Sequence, residues 1–255
     1  MQFGVCAGPE EAAWIAAAGA DFVEGHVQAF LKPMDQAWKP PMPPASLAIP
    51  VAAYNCFLPG AYKVTGPDTD EKRLAAYAKR AFARAHAMGS SVIVFGSGAA
   101  RMIPAEWPRE KAEEQLVEAM RIVGPLAAAE EITVVMEPLN RGETNILNSV
   151  AEGLHYLRRA NVDGVAVLCD FYHLALESEP LENLDAATGL LAHVHIAEPQ
   201  GRVAPGPNLT DYRPFFAKLK EIGYDARISL ECKWDDMKTQ LKPCLEFLRR
   251  QWEAA

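Results

Sequence analysis

Apolar runs of strand length alternate with longer stretches of helical period eight times along the chain. The strand candidates are residues 3–7, 21–25, 48–55, 91–97, 132–138, 165–170, 191–198 and 227–234. This alternation is typical of βα units that build a parallel sheet. Eight units in 255 residues match the size of a (β/α)8 barrel. The sequence therefore predicts an α/β fold, a single (β/α)8 TIM barrel over residues 1–255, with the active site at the C-terminal ends of the strands.

The segments between the strand candidates carry recognisable helix boundaries. Residues 9–19 and 68–89 each close on a glycine, and residues 108–130 begin at a proline, both typical of helix ends. Residues 32–47, KPMDQAWKPPMPPASL, are proline-rich and lack a helical period over most of their length. We interpret this segment as an irregular βα loop, because one short strand on each side cannot form a domain alone.

The net charge and the hydropathy pattern argue against nucleic-acid and membrane partners. The formal net charge of −8 argues against a nucleic-acid partner, because binding along phosphates needs a basic face. A small polar substrate suits this balance better. No apolar run approaches the length that crosses a bilayer, and the N-terminus MQFGVCAGPEEAAW has neither a basic leader nor a long apolar core. We therefore expect no membrane association and a cytoplasmic location.

The cysteine pattern does not predict a disulfide framework. There are five, scattered and without a C-x-x-C pair: Cys6, Cys56, Cys169, Cys232 and Cys244. This pattern argues against both a disulfide scaffold and a thiolate zinc site. We expect reduced core residues.

Polar side chains collect where the strand candidates end. They are Glu24, Asn55, Glu137, Asp170, His195 and Glu231, with His173 just past its strand. Glu137, Asp170, His195 and Glu231 come from the last four strands, which are neighbours in a closed barrel. Three carboxylates in one apolar mouth would repel one another unless protons or a cation lay between them. The sequence therefore predicts a divalent metal site.

The ligand types favour a fairly hard ion. Three carboxylates and one imidazole suit Mn²⁺, Mg²⁺ or Co²⁺ better than a structural zinc, although Zn²⁺ remains an alternative. Side-chain alternation turns Cys169 and Cys232 outward, away from the metal. His193 shares a face with His195, and we expect it to orient His195 or to pack beneath it.

Four motifs, in this order, resemble a known family. MEPLNRGETN, CDFYH, HVHIAEPQGR and ISLECKW are similar to the motifs of the xylose isomerase-like TIM barrels, the sugar phosphate isomerase/epimerase superfamily. The nearest members are of the ketose 3-epimerase and hydroxypyruvate isomerase types. The clear resemblance covers about residues 90–234.

The resemblance implies roles for individual residues. Glu137, Asp170, His195 and Glu231 would hold one divalent ion, and Glu137 and Glu231 would also act as the acid/base pair. His173, Glu143 and Arg202 would contact oxygens of a small carbohydrate substrate. Members of this family often form homo-oligomers.

Several residues have alternative interpretations from the sequence. Glu143 and Arg202 could be surface loop residues, and Glu24 could enter the mouth or merely end its strand. Asn55, Cys56 and Phe57 could line the pocket. The glycines of VFGSGAAR (94–101) lack P-loop spacing and are expected to let the backbone pass close to the substrate, with Arg101 as an anion contact.

The chemistry of such a site defines the expected function. A cation that binds a carbonyl and the adjacent hydroxyl acidifies the neighbouring C–H by stabilising an enediolate. One glutamate would remove that proton and the other would return one, which gives an isomerase or epimerase of a ketose, a ketose phosphate or a small hydroxycarbonyl compound. Two alternatives stay open: a dehydratase of a cyclic hydroxyketone such as an inosose or dehydroshikimate, and a catalytically silent barrel. The acidic balance and the presence of only His193 and His195 at a strand end argue against a third, an apurinic endonuclease-like repair enzyme.

Overall fold

The chain folds into a closed barrel of parallel strands. The computed structural model describes residues 1–206 and 209–255. The strands in these ranges are β1 (Gln2–Cys6), β2 (Phe22–His26), β3 (Val51–Asn55), β4 (Val92–Phe95), β5 (Thr133–Met136), β6 (Val165–Asp170), β7 (Leu191–Ile196) and β8 (Arg227–Leu230). Each pairs in parallel with the next, and β8 closes the ring on β1. The predicted (β/α)8 barrel fold is confirmed.

Helices surround the barrel. They are α1 (Ala12–Ala17), α2 (Glu71–Ala87), α3 (Gly98–Arg101), α4 (Arg109–Ala128), α5 (Val150–Ala160), α6 (Phe171–Leu176), α7 (Arg213–Glu221) and α8 (Met237–Glu253). The predicted boundaries hold to within a few residues: α2 begins after its N-cap Asp70 and α4 after Pro108. Among the described residues, no helix combines the length and hydropathy needed to cross a membrane.

The unit after β2 is irregular, as the sequence predicts. A five-residue π-helix, Val27–Leu31, follows the strand, and residues 32–47 contain only a short 3₁₀ turn at Pro44–Ser46. The prolines of this segment remove backbone donors and oppose a longer helix.

Five of the strands are shorter than predicted, and β1, β2 and β6 have the predicted length. The candidate 48–55 begins at Val51, after Pro50, and the candidate 227–234 ends at Leu230. Pairing limits β8 because both neighbours stop there: Leu230 is the last residue paired with β1 and with β7. Glu137 and Glu231 therefore lie one residue beyond their strands.

The inside of the barrel has an apolar half and a polar half. On β3 to β6 the inward side chains form a small apolar cluster that includes Val94, Val135 and Leu168. On β2, β7 and β8 the side chains of Glu24, His193 and Ser229, here called the polar layer, meet one another in the interior. Larger apolar clusters fill the space between strands and helices. Cys169 belongs to one of these clusters and Cys232 packs against it, as the alternation predicts.

Candidate active site

Four side chains converge at the C-terminal mouth of the barrel. Ligand atoms of Glu137, Asp170, His195 and Glu231 all lie within 4.8 Å of one another. Asp170 is the last residue of β6 and His195 lies one residue before the end of β7. The sequence thus predicted the grouping that the structure brings together. We call these four residues the carboxylate–histidine cluster.

His195 presents one nitrogen to the cluster and the other to the barrel interior. Its Nδ1 lies 3.3 Å from Glu137 Oε1 and 3.3 Å from Glu231 Oε2. Its Nε2 lies 2.9 Å from Glu24 Oε1. The imidazole therefore links the mouth to the polar layer beneath it.

Glu24 lies in the interior, below the open mouth. The sequence suggested that Glu24 either enters the mouth or ends its strand, and neither interpretation predicted its contacts. The buried carboxylate lies 2.9 Å from His195 and 2.7 Å from His193. His193 packs edge-on against His195, with ring centroids 5.2 Å apart, and is joined to it through Glu24. The one signal in the sequence was a carboxylate inside the apolar run DFVEG.

Burial and neighbouring charges raise the pKa values of three members of the cluster. Burial and the nearby Glu137 raise the pKa of Asp170 to about 7, and burial and Glu231 raise the pKa of Glu137. Burial opposes protonation of His195, but Glu24 and Glu231 outweigh it and raise the His195 pKa. The cluster thus carries more negative charge than its apolar surroundings favour, and a divalent cation would relieve it.

His173 offers a free donor beside the cluster. Its Nδ1 accepts hydrogen bonds from the Asn140 backbone N–H (3.1 Å) and side-chain amide (2.9 Å), which leaves the proton on Nε2. That Nε2 is buried, lies 3.5 Å from Asp170 Oδ2, and has no hydrogen-bond partner among the described residues. Burial and Arg202 lower the pKa of His173 to about 3, so the ring is neutral. Sequence reasoning missed Asn140, which no local pattern marks.

Arg202 and Glu143 both reach the mouth. The Arg202 guanidinium contacts Glu231, lies 3.3 Å from Asp170 Oδ2 and 3.6 Å from Glu143 Oε1, and stacks over the Tyr172 ring. Glu143 also accepts a hydrogen bond from Asn140 at 3.0 Å. Of the two sequence interpretations, the structure therefore favours a place in the site over an unattached surface position.

A cavity of about 290 Å³ opens beside these residues. Its lining includes Glu137, Glu143, Arg202 and Glu231, together with Asn55 and Cys56 from the end of β3 and Gly96 and Gly98 after β4. Phe57 is absent from this wall: it is buried among aromatic rings between barrel and helices, which corrects one suggestion from the sequence.

The expectation that Arg101 contacts an anion is wrong. Its side chain is fully buried and donates to backbone carbonyls of Phe95 (3.0 Å), Glu137 (2.6 Å) and Leu147 (3.4 Å). The physical reason is position: α3 turns the guanidinium back under the strand ends, where the Glu137 carbonyl accepts from no backbone N–H among the described residues and therefore needs a side-chain donor. The five cysteines are free, but Cys6, Cys56 and Cys232 are only partly buried.

The closed parallel barrel and the carboxylate–histidine cluster define the class of this protein: a barrel with an acidic, histidine-containing site at its mouth. The model of the family described as "Xylose isomerase-like TIM barrel" matches residues 12–251. The chain belongs to this family, as the four motifs indicated.

Relatives within the curated proteins are named as epimerases. The chain is 28% identical over 169 residues to the 3-dehydro-D-guloside 4-epimerase of Escherichia coli K12, covering 63% of this chain and 64% of that protein. It is 36% identical over 116 residues to the L-ribulose 3-epimerase of Methylomonas sp. DH-1, covering 45% and 40%. The aligned regions thus span less than two thirds of these relatives.

Solved structures share the fold over nearly the whole chain. The D-psicose 3-epimerase of Clostridium cellulolyticum H10, solved with D-tagatose, superposes with a TM-score of 0.84, covering 99% of both chains at 19% identity. At this identity the likeness establishes the common barrel.

Proposed function

We propose that this protein is a divalent-metal-dependent epimerase or isomerase of a ketose or a related small hydroxycarbonyl sugar. The observation that carries the proposal is the carboxylate–histidine cluster, whose ligand atoms lie within 4.8 Å of one another at the barrel mouth. Relatives named as sugar epimerases support the substrate class.

The residues present fit a divalent cation. Glu137, Asp170 and Glu231 offer carboxylate oxygens, and His195 offers Nδ1, because its Nε2 faces Glu24. Such a donor set suits Mn²⁺, Mg²⁺ or Co²⁺, with Zn²⁺ as an alternative. Bound there, the cation would acidify the C–H next to the substrate carbonyl and stabilise the enediolate.

Glu137 and Glu231 are the proposed acid/base pair. Both line the cavity, and both lie just beyond their strands, where the backbone leaves the sheet and the carboxylates face the mouth. One takes the proton from the substrate carbon and the other returns a proton to the planar intermediate. Return to the opposite face of the same carbon gives an epimer, and return to the neighbouring carbon gives the isomer.

Three further side chains are proposed to hold the substrate. The Nε2–H of His173 is free for a substrate oxygen, because this buried nitrogen beside Asp170 has no hydrogen-bond partner among the described residues. Arg202 supplies donors at the rim of the cavity, and Glu143 supplies an acceptor. Their mutual contact places both hydrogen-bonding types on the same side of the mouth.

The test is proton exchange in D₂O. The metal-loaded protein is incubated with free and phosphorylated ketoses, and deuterium incorporation and products are followed by NMR. Deuterium at C3 or C4 with a new diastereomer supports the epimerase, and deuterium at C1 or C2 with an aldose supports the isomerase. An enone chromophore with a cyclic hydroxyketone would instead indicate the dehydratase.

A glutamate variant tests the acid/base assignment. Glu231→Gln is expected to lower kcat by about 10²–10⁴-fold, the usual contribution of a positioned acid or base. Glu198→Gln is the control, because Glu198 is a glutamate that is more buried than Glu231 and bonds to Thr210 and Tyr212, outside the cluster. Full turnover by Glu231→Gln would refute the assignment.

A further inference from the structure

The polar layer beneath the cluster is a hydrogen-bonded arrangement centred on one carboxylate. Glu24 Oε1 lies 2.9 Å from His195 Nε2. Glu24 Oε2 lies 2.7 Å from His193 Nε2 and accepts from the Ser229 hydroxyl at 2.5 Å. All four side chains are essentially inaccessible to solvent. The arrangement joins β2 to β7 and β8 across the barrel interior.

We propose that Glu24 is a positioning residue that fixes His195 with its Nε2 protonated and its Nδ1 free to bind the cation. This inference rests on the metal site proposed above and concerns a residue outside the carboxylate–histidine cluster.

The geometry assigns the direction of each hydrogen bond. A carboxylate only accepts, so the His195 nitrogen that faces Glu24 must carry the proton. Nδ1 lies 3.3 Å from oxygens of both Glu137 and Glu231 and donates to them in the metal-free protein, so a cation bound at the cluster would replace the Nδ1 proton and leave the proton on Nε2. A histidine that binds a metal through one nitrogen is commonly held in this way by an acceptor at the other.

Glu24 is itself held in place. Ser229 and His193 both engage its second oxygen, so the carboxylate cannot rotate away from His195 without losing buried hydrogen bonds. The closeness of His193 to Glu24 also accounts for a second buried imidazole at this depth of the barrel. Neither residue reaches the cavity beside the cluster, so we place neither in contact with substrate.

The experiment is metal binding by the full chain after chelator treatment. Mn²⁺ is titrated calorimetrically into the wild type, Glu24→Gln and the matched control Glu198→Gln. Glutamine keeps the shape and can still accept from His195, but it lacks the negative charge. We expect affinity for Mn²⁺ to fall about 10–100-fold in Glu24→Gln and to stay at the wild-type value in Glu198→Gln.

Failure of this inference is distinguishable from failure of the proposed function. If the wild type binds no Mn²⁺, the metal site and the function proposed above are wrong. If the wild type binds Mn²⁺ and Glu24→Gln binds it equally well, Glu24 has no positioning role.

A second measurement covers the case in which Glu24→Gln does not fold. The wild type is labelled with ¹⁵N-histidine, loaded with diamagnetic Mg²⁺, and the His195 ring is observed by NMR, with assignment through His195→Gln. A proton on Nε2 supports the inference, and a proton on Nδ1 overturns it.

Discussion

At Gly96 the absence of a side chain leaves the space that Glu137 occupies. A Cβ atom at this position would lie 2.1 Å from Glu137 Oε2, far inside contact distance. The glycine is also part of the cavity wall. The sequence suggested that glycines in 94–101 allow a close approach to substrate; in the structure the group that Gly96 approaches most closely is Glu137.

Gly96→Ala should therefore impair turnover more than folding. The methyl group displaces the Glu137 carboxylate, and a shift of about 1 Å in a reacting group costs about 100-fold in rate. The measurements are kcat for the proposed reaction and the free energy of unfolding in urea. Gly206→Ala is the control, because among the described residues its Cβ would meet nothing closer than Leu209 Cδ1 at 3.8 Å. An unchanged kcat in Gly96→Ala would contradict the close contact.

Asp170 predicts a pH dependence of the metal-free protein. Its pKa is raised to about 7 by burial and by Glu137, from an ordinary value near 4. The folded state thus binds the proton more tightly than the unfolded state, and stability is lost as pH rises from about 4 to about 7. Asp170→Asn should reduce the pH dependence of the unfolding free energy, measured by urea unfolding of the metal-free protein. Saturating Mn²⁺ should also remove it, since metal binding favours the ionised carboxylate. Equal slopes in wild type and variant would exclude Asp170 as the source.

The short helix α3 contacts the backbone of the site through its last residue, Arg101. This four-residue helix follows β4, and its last side chain donates to carbonyls at the end of β4, just beyond β5 and in the loop before α5. One of those carbonyls belongs to Glu137. The buried guanidinium thus ties the backbone of the proposed acid/base residue to its neighbours.

Removal of the Arg101 guanidinium and its hydrogen bonds should destabilise the barrel mouth. Arg101→Met leaves the buried Glu137 carbonyl without a donor, while the carbonyls of Phe95 and Leu147 keep their backbone donors, so the free energy of unfolding should fall by about 1–3 kcal/mol. Lys63→Met removes a single contact to the Ala99 carbonyl near the surface and should change stability by less than about 0.5 kcal/mol. Urea unfolding compares the two, and equal losses would contradict the role of Arg101.

For the molecule as a whole, the proposed cation joins four neighbouring strands. Because Glu137, Asp170, His195 and Glu231 come from successive strands β5 to β8, an ion bound by all four binds only the closed barrel. Ligand that binds only the native state adds about 2.7 kcal/mol at 100 times Kd.

Metal loading should therefore raise the melting temperature. For a chain of this size that energy corresponds to a rise in Tm of about 5–10 °C with excess Mn²⁺, reversed by EDTA. A double variant, Glu137→Gln with Asp170→Asn, should show no rise, which separates the cluster from ions bound elsewhere. Thermal unfolding by circular dichroism measures both, and a rise of equal size in the double variant would place the ion outside the cluster.

The sequence by itself determined the barrel and the grouping of its acidic mouth. Apolar periodicity located eight strands, and parallel strands bring their C-terminal residues to one edge, so Glu137, Asp170, His195 and Glu231 could be grouped without coordinates. The metal and substrate roles of these residues remain predictions that the experiments above address.

Only the tertiary structure decided the contacts between distant parts of the chain. Glu24 meets His195 across 171 positions, Asn140 meets His173 across 33, and Arg101 turns inward to the carbonyls of Glu137 and Leu147. Strand ends also shifted, because a strand stops where its neighbours stop pairing. These features depend on register and on closure of the barrel, which local periodicity does not encode, and so they could not be predicted from the sequence.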